Sequence, residues 1–201
     1  MIKVALTGGI ATGKSYVLDA LRRRGIPCLD ADALAHGVMA PGTEATAAIA
    51  ARFGDVLTED GGVDRAKLGP IVFADPTARG ELEAIVHPAV YRAIEAGLRA
   101  FELLDRPRFA VADIPLLFES GHERDFDRVI ATVCSESTQR ARLRERGLSD
   151  AAASQRLAAQ WPAQEKAGRA HIVISTDGTF AETDAQIEQA ILALAAPDAQ
   201  P

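Results

Sequence analysis

Eight residues near the start of the chain, Gly8-Gly9-Ile10-Ala11-Thr12-Gly13-Lys14-Ser15, combine residue types and spacing suited to holding phosphate. They fit the pattern G-x-x-x-x-G-K-[ST], whose glycines let the backbone curl so that successive N–H groups face phosphate oxygens. A helix expected to start near Gly13 adds unpaired N–H groups and the positive end of its dipole. Lys14 is placed to reach the β- and γ-phosphates as a point charge, and the Ser15 hydroxyl to ligate Mg²⁺. Gly9, Ala11, Thr12, Gly13 and Tyr16 complete the expected nucleotide-binding set.

Carboxylates supply the second kind of chemistry. Asp30-Ala31-Asp32 follows an apolar run. If the chain stays extended there, both carboxylates face one side. Aspartate also caps helix N-termini, so Asp30 is read as mainly structural. Asp32 is then the group that takes the proton of an acceptor hydroxyl or anchors it. Asp113 ends a later apolar run, where a buried carboxylate needs a cation. It would hold Mg²⁺ through water or contact the acceptor. His87, before Pro88, is by default a hydrogen-bonded structural residue.

The third feature is a basic stretch, Arg140, Arg142, Arg144 and Arg146, with Arg156 and Lys166 behind it. On a helix, Arg142 and Arg146 share a face, as do Arg140 and Arg144. A kinase must keep water from the γ-phosphate, and a mobile arginine-bearing lid does this while stabilising charge on the transferring group. The alternative is a solvated basic helix paired with Glu136 and Glu145. For the group as a whole the lid is the favoured reading.

These residues must be positioned by strands and helices. Ile2–Leu6, Ile26–Asp30, Arg108–Asp113, Arg128–Val133 and His171–Ser175 read as strands between helical stretches. That alternation predicts an α/β fold, a parallel sheet flanked by helices, with ligands beyond the carboxyl ends of the strands. The chain reads as a single domain over 1–201. Its core is 1–30, 106–135 and 169–201; 31–105 is a helical insertion able to hold a second substrate; 136–168 is the lid. Breaks are expected at Pro41-Gly42, Gly69-Pro70, Asp75-Pro76 and His87-Pro88, and a turn at Asp60-Gly61-Gly62. The final helix spans Phe180 to Leu194, and Ala195 to Pro201 reads as a frayed tail.

Composition narrows the function classes. The chain has 201 residues, 48% hydrophobic, with a formal net charge of -6. That is enough apolar content for a core and argues against nucleic acid as a partner. The two cysteines, Cys28 and Cys134, read as buried small residues. No apolar run spans a bilayer and Met1 leads directly into the first strand, so the expected compartment is the cytoplasm. The sequence holds no asparagine, which excludes the N-K-x-D element of common guanine-specific switches. Asp113 is followed by Ile114 and not by a water-activating glutamate, which favours transfer to a bound acceptor over hydrolysis. A kinase is the leading class, with another small-metabolite or nucleotide kinase and a nucleotide-gated switch as alternatives.

The set Thr7-Gly8-Gly9-Ile10, Gly13-Lys14-Ser15, Asp30-Ala31-Asp32, Leu82-Glu83 with His87-Pro88, and Asp113-Ile114-Pro115-Leu116-Leu117-Phe118-Glu119 resembles the dephospho-CoA kinases. So does the later set Gln139, Arg142, Leu143, Arg146, Arg156, Gln160, Glu165 and Lys166. The resemblance implies a P-loop NTPase fold with a helical CoA domain and a lid. It implies ATP-dependent phosphorylation of the ribose 3′-hydroxyl of dephospho-CoA, the last step of CoA synthesis, with Mg²⁺. By the same match Asp32 is the general base, Lys14 and Arg142 serve the transferred phosphate, and Thr7, His87, Asp113 and Leu116 lie on the acceptor side. The chain departs from the family pattern at Ala11-Thr12, where Gly-Ser is usual, and at Tyr16, His171 and Thr176. Ala11 is expected to keep a negative φ, because a left-handed conformation disfavours a Cβ.

Overall fold

The computed structural model describes residues 1–104 and 106–196. In chain order, β1 (Ile2–Gly8) leads into α1 (Lys14–Arg23) and β2 (Cys28–Asp30). Four helices follow: α2 (Ala31–Val38), α3 (Glu44–Phe53), α4 (Arg65–Ala74) and α5 (Pro76–Leu104). β3 (Phe109–Asp113) and β4 (Arg128–Val133) come next, then α6 (Glu136–Glu145), α7 (Asp150–Ala158) and α8 (Ala163–Arg169). β5 (Ile172–Ser175) and α9 (Phe180–Ala195) complete the chain. Of the expected tail, 197–201 lies outside the described residues. The chain divides into two compact units, one of residues 1–29 and 100–201, the other of residues 30–99.

The first unit is built on a five-stranded parallel sheet of order β2-β3-β1-β4-β5. β1 lies at the centre, pairing Ile2–Leu6 with Phe109–Asp113 and Val4–Gly8 with Arg128–Thr132. Residue alternation gives the sheet two unlike faces. Val4, Leu6, Phe109, Val111, Ile130 and Ile174 form one face and pack on Val17, Leu18 and Leu21 of α1 and Ile187, Ala190 and Leu194 of α9. Burying a side chain such as Leu18 or Leu21 contributes about 2 kcal/mol. The residues between them, Ala5, Ala110, Ala112 and Ala131, are small and fully buried. Their size lets α8 approach β1 and β4 closely.

The second unit is helical around Ile49, Val56 and Leu68, with Leu82, Ile85 and Val86 packed against them. Two expected breaks do not occur: Pro70 lies inside α4 and Pro88 inside the 29-residue α5. An interior proline costs about 3 kcal/mol, and the apolar contacts on either side of each outweigh it. The other two breaks stand, with Gly42 at φ 78 between α2 and α3, and Asp75 closing α4 before Pro76.

The extended Asp-Ala-Asp arrangement is also corrected. β2 ends at Asp30 and α2 starts at Ala31, so the two carboxylates do not share a strand face. The cause is the cap: Asp30 Oδ1 accepts from the N–H of Asp32 at 2.9 Å and of Ala33 at 3.1 Å. These bonds satisfy donors that helix geometry leaves open.

Candidate active site

The loop joining β1 to α1 is defined by where its carbonyls go. Gly9 O accepts from the Thr12 N–H and, at 2.7 Å, from the Thr12 hydroxyl. Ile10 O accepts from the Gln139 amide at 2.6 Å, Ala11 O from Arg142 at 3.0 Å, and Thr12 O from the Thr176 hydroxyl at 2.8 Å. With Gly9 O turned onto Thr12 and the next three carbonyls bonded to residues outside the loop, its N–H groups are left to face a ligand. Thr12 and Thr132, both buried, pair their hydroxyls at 2.7 Å and fix the loop to β4. A Cβ at Gly8 would sit 2.1 Å from the Thr132 hydroxyl, so only glycine fits there.

The helix that follows has an open N-terminus. α2, α3, α4, α6, α7 and α9 each begin under a side-chain cap. α1 begins after Gly13, at φ 82, with no side-chain cap bond. Its first N–H groups and its dipole therefore favour an anion. Ser15 lies exposed in this first turn. Ala11 overturns the expectation of a negative φ, since it stands at φ 59. The conformation is strained for a residue with a Cβ. It is held by Arg142 on the carbonyl and by packing of the methyl group with Leu143 and Ala153.

Lys14 faces Asp113 at the carboxyl end of β3. Its ammonium donates to both carboxylate oxygens, at 2.6 Å to Oδ2. Asp113 is buried, and Lys14 is the cation that its burial demands. Past Asp113, the Thr7 hydroxyl donates to Pro115 O at 3.2 Å and is itself buried. Leu116 stands on the surface of this segment, 38% exposed.

Lys166 is not a lid cation. It is fully buried, donating to Pro115 O at 2.9 Å and pairing with Glu119 at 2.7 Å. Burial lowers the Lys166 pKa against the opposing pull of Glu119. The sequence groups it with the arginines of α6, and only the packing of α8 on the small-residue face of the sheet reveals its burial.

The α6 arginines divide. Arg142 turns inward, its fork donating to Ala11 O, to the Thr176 hydroxyl at 3.0 Å and to Thr176 O at 2.6 Å. Arg140 takes Glu136 and the Ser154 hydroxyl, and Arg144 pairs with Asp150. Arg140 also lines a cavity of about 460 Å³ bounded by Gly9 and Ile10 of the loop and by Trp161. Asp177 ties the loop after β5 to the start of α6, accepting from the Ser135 N–H at 2.8 Å and the Thr138 hydroxyl at 2.6 Å.

Asp32 and His87 belong to the other unit. Asp32 is exposed in the first turn of α2, and His87 is half-buried within α5. The sequence reading did not single out Thr132, whose only signal is a hydroxyl one residue before the end of a buried strand. Burial raises the thiol pKa of both cysteines, Cys28 to about 11. Neither belongs to a metal cluster among the described residues.

A phosphate cradle on the central strand of a parallel sheet, a lysine poised on an acidic strand end and a helical segment over the loop define a P-loop kinase. The family model for dephospho-CoA kinase matches residues 2–182. The chain belongs to the dephospho-CoA kinase family. A dephospho-CoA kinase of Anaeromyxobacter dehalogenans is 49% identical over 177 residues, 87% of this chain and 83% of that one. TT1252 from Thermus thermophilus has a similar structure, with a TM-score of 0.82 at 33% identity over 96% of both chains. Dephospho-CoA kinase from Campylobacter jejuni gives a TM-score of 0.71 at 27% identity, again over 96% of both chains. The family membership implies a nucleotide phosphate donor.

Proposed function

We propose that this chain transfers the γ-phosphate of ATP to the ribose 3′-hydroxyl of dephospho-CoA, giving CoA and ADP. The observation that carries this reading is the cradle itself. Three successive loop carbonyls are bonded to residues outside the loop and α1 has no side-chain cap, while Lys14 stands at the rim. In the proposed reaction the loop N–H groups and Lys14 bind the donor phosphates and offset charge that spreads onto the transferring group. Asp32 takes the acceptor proton, and Asp113 with the segment through Leu116 borders the acceptor. The 31–105 region holds the CoA moiety, with His87 among its contacts, and 136–168 acts as the lid.

The Ser15 hydroxyl and the Asp113 carboxylate are hard oxygen donors of the kind Mg²⁺ takes, alongside water and phosphate oxygens. Bound there, Mg²⁺ would neutralise charge on the β- and γ-phosphates. Among the described residues no helix is long and apolar enough to cross a membrane. We place the reaction in the cytoplasm.

An acceptor panel tests the function, with ADP formation from Mg-ATP as the readout. Dephospho-CoA should be the preferred acceptor by kcat/KM. Preference for a different metabolite, or no turnover with dephospho-CoA, overturns the assignment. Asp32→Asn keeps the shape and removes the base, so kcat should fall roughly 100-fold with acceptor KM little changed. An unchanged kcat leaves Asp32 a positioning group only.

A further inference from the structure

Two aromatic rings beside the cradle have no role in the proposed transfer step, although Tyr16 belongs to the expected nucleotide-binding set. Tyr16 lies in the first turn of α1, two residues after Lys14, and Phe180 is the first residue of α9. Their ring centroids are 4.8 Å apart, tilted by 37°. Tyr16 is anchored against the apolar core, with the Arg23 guanidinium 5.9 Å from its ring centroid. Phe180 is 71% exposed, so most of its ring is open to a ligand.

The link between β5 and α9 ties this pair to the cradle. Thr176 donates its hydroxyl to Thr12 O, and a Cβ on Gly13 would meet the Thr176 side chain at 3.2 Å. Asp177 is fastened to Ser135 and Thr138. Three residues further on, the same link delivers Phe180 to Tyr16. The rings therefore stand at the α1 side of the loop. In a nucleoside triphosphate the α-phosphate carries the nucleoside. With the β- and γ-phosphates at Lys14, the α-phosphate falls to the N–H groups of Ser15 and Tyr16, further along the open first turn. The base then leaves the cradle on the side where the rings lie.

We propose that Tyr16 and Phe180 form an aromatic platform for the nucleobase of the phosphate donor. This rests on the cradle being the donor site. Stacking needs only a π-face, so the platform contributes affinity for any nucleoside triphosphate and selects a base only weakly. Tyr16 supplies the rigid half of the platform, and the exposed Phe180 supplies the face that a base covers.

The test compares ATP with inorganic tripolyphosphate, which has the phosphates without the nucleoside. Calorimetric titration of the Tyr16→Thr/Phe180→Ser double variant should show the ATP Kd raised roughly tenfold and the tripolyphosphate Kd unchanged. Equal losses for both ligands mean that the rings only support the loop, and unchanged ATP affinity means that they do not touch the base. Either result overturns the platform. Wild-type protein that binds neither ligand overturns the donor-site reading and the platform with it. Phe180→Trp, at an exposed position, gives a second readout. Its added indole emission should be quenched by ATP and unaffected by tripolyphosphate, whereas no difference between the two ligands contradicts the proposal.

Discussion

Lys14 and Asp113 neutralise each other at the rim of the phosphate cradle, the ammonium reaching both oxygens of a buried carboxylate. A triphosphate that engages Lys14 must compete with this pair. Asp113→Asn leaves the lysine charge with a weaker partner. The Lys14 side chain keeps 16% of its surface accessible, so the cost is set below that of a fully buried pair, at about 2 kcal/mol of unfolding free energy. Thermal unfolding of the variant should start lower than that of wild type. The gap should narrow as tripolyphosphate is added, because the anion replaces the missing carboxylate. A gap that ignores the anion would show that Lys14 is not the phosphate ligand.

Arg142→Lys separates two roles for one side chain. In the structure its fork spans Ala11 O and Thr176 O. A lysine keeps the charge but holds one carbonyl at best. If the arginine shapes the loop, donor Kd rises roughly tenfold while acceptor KM stays put, in line with the loss of one or two hydrogen bonds. A collapse in kcat at unchanged donor Kd would instead place the guanidinium on the transferring phosphate, as the sequence resemblance implies.

Ala11 offers a test of backbone strain. At φ 59 a β-branched side chain is a steric outlier, so Ala11→Val should lose about 2–3 kcal/mol in denaturant unfolding. Ala11→Gly relieves strain but loosens the unfolded chain and removes a buried methyl group, and these offset to within about 1 kcal/mol. Equal stability of the Val and Gly variants would contradict the left-handed assignment.

The Asp177 latch predicts a pH dependence. The Thr138 hydroxyl first, then the Ser135 N–H and hydroxyl and the Arg142 charge, hold its carboxyl below the usual aspartate range. With the folded pKa depressed, the stabilisation is complete above the unfolded value of about 3.9 and is lost as pH falls through the folded value. Asp177→Asn should therefore be less stable than wild type at pH 7, with the difference closing below pH ~4. A difference constant down to pH ~2 would rule out the latch.

Local pattern sufficed for much of this molecule. The loop from Gly8 to Ser15 and the strand ends at Asp30, Asp113 and Val133 follow from residue type over short spans, as does the capping role of Asp30. What escaped depends on partners far along the chain. Pro70 and Pro88 read as breaks because the apolar contacts that carry their helices come from other segments. Lys166 reads as one more cation of the lid stretch until Glu119, 47 residues earlier, is brought beneath it. Ala11 reads as a negative-φ position because a left-handed turn disfavours a Cβ, and Arg142, from across the fold, holds it otherwise. The cradle was legible from its glycines and lysine, but its outer supports Thr132, Gln139 and Thr176 are defined by the tertiary structure.

The central claim is phosphoryl transfer from the cradle to a ribose hydroxyl. Phosphorus NMR of the products from Mg-ATP and dephospho-CoA tests it most directly. One new 3′-phosphomonoester resonance should appear for each ADP formed, and both should vanish in Lys14→Ala. ADP accompanied by inorganic phosphate, with no phosphomonoester, would make the chain a hydrolase and contradict the account.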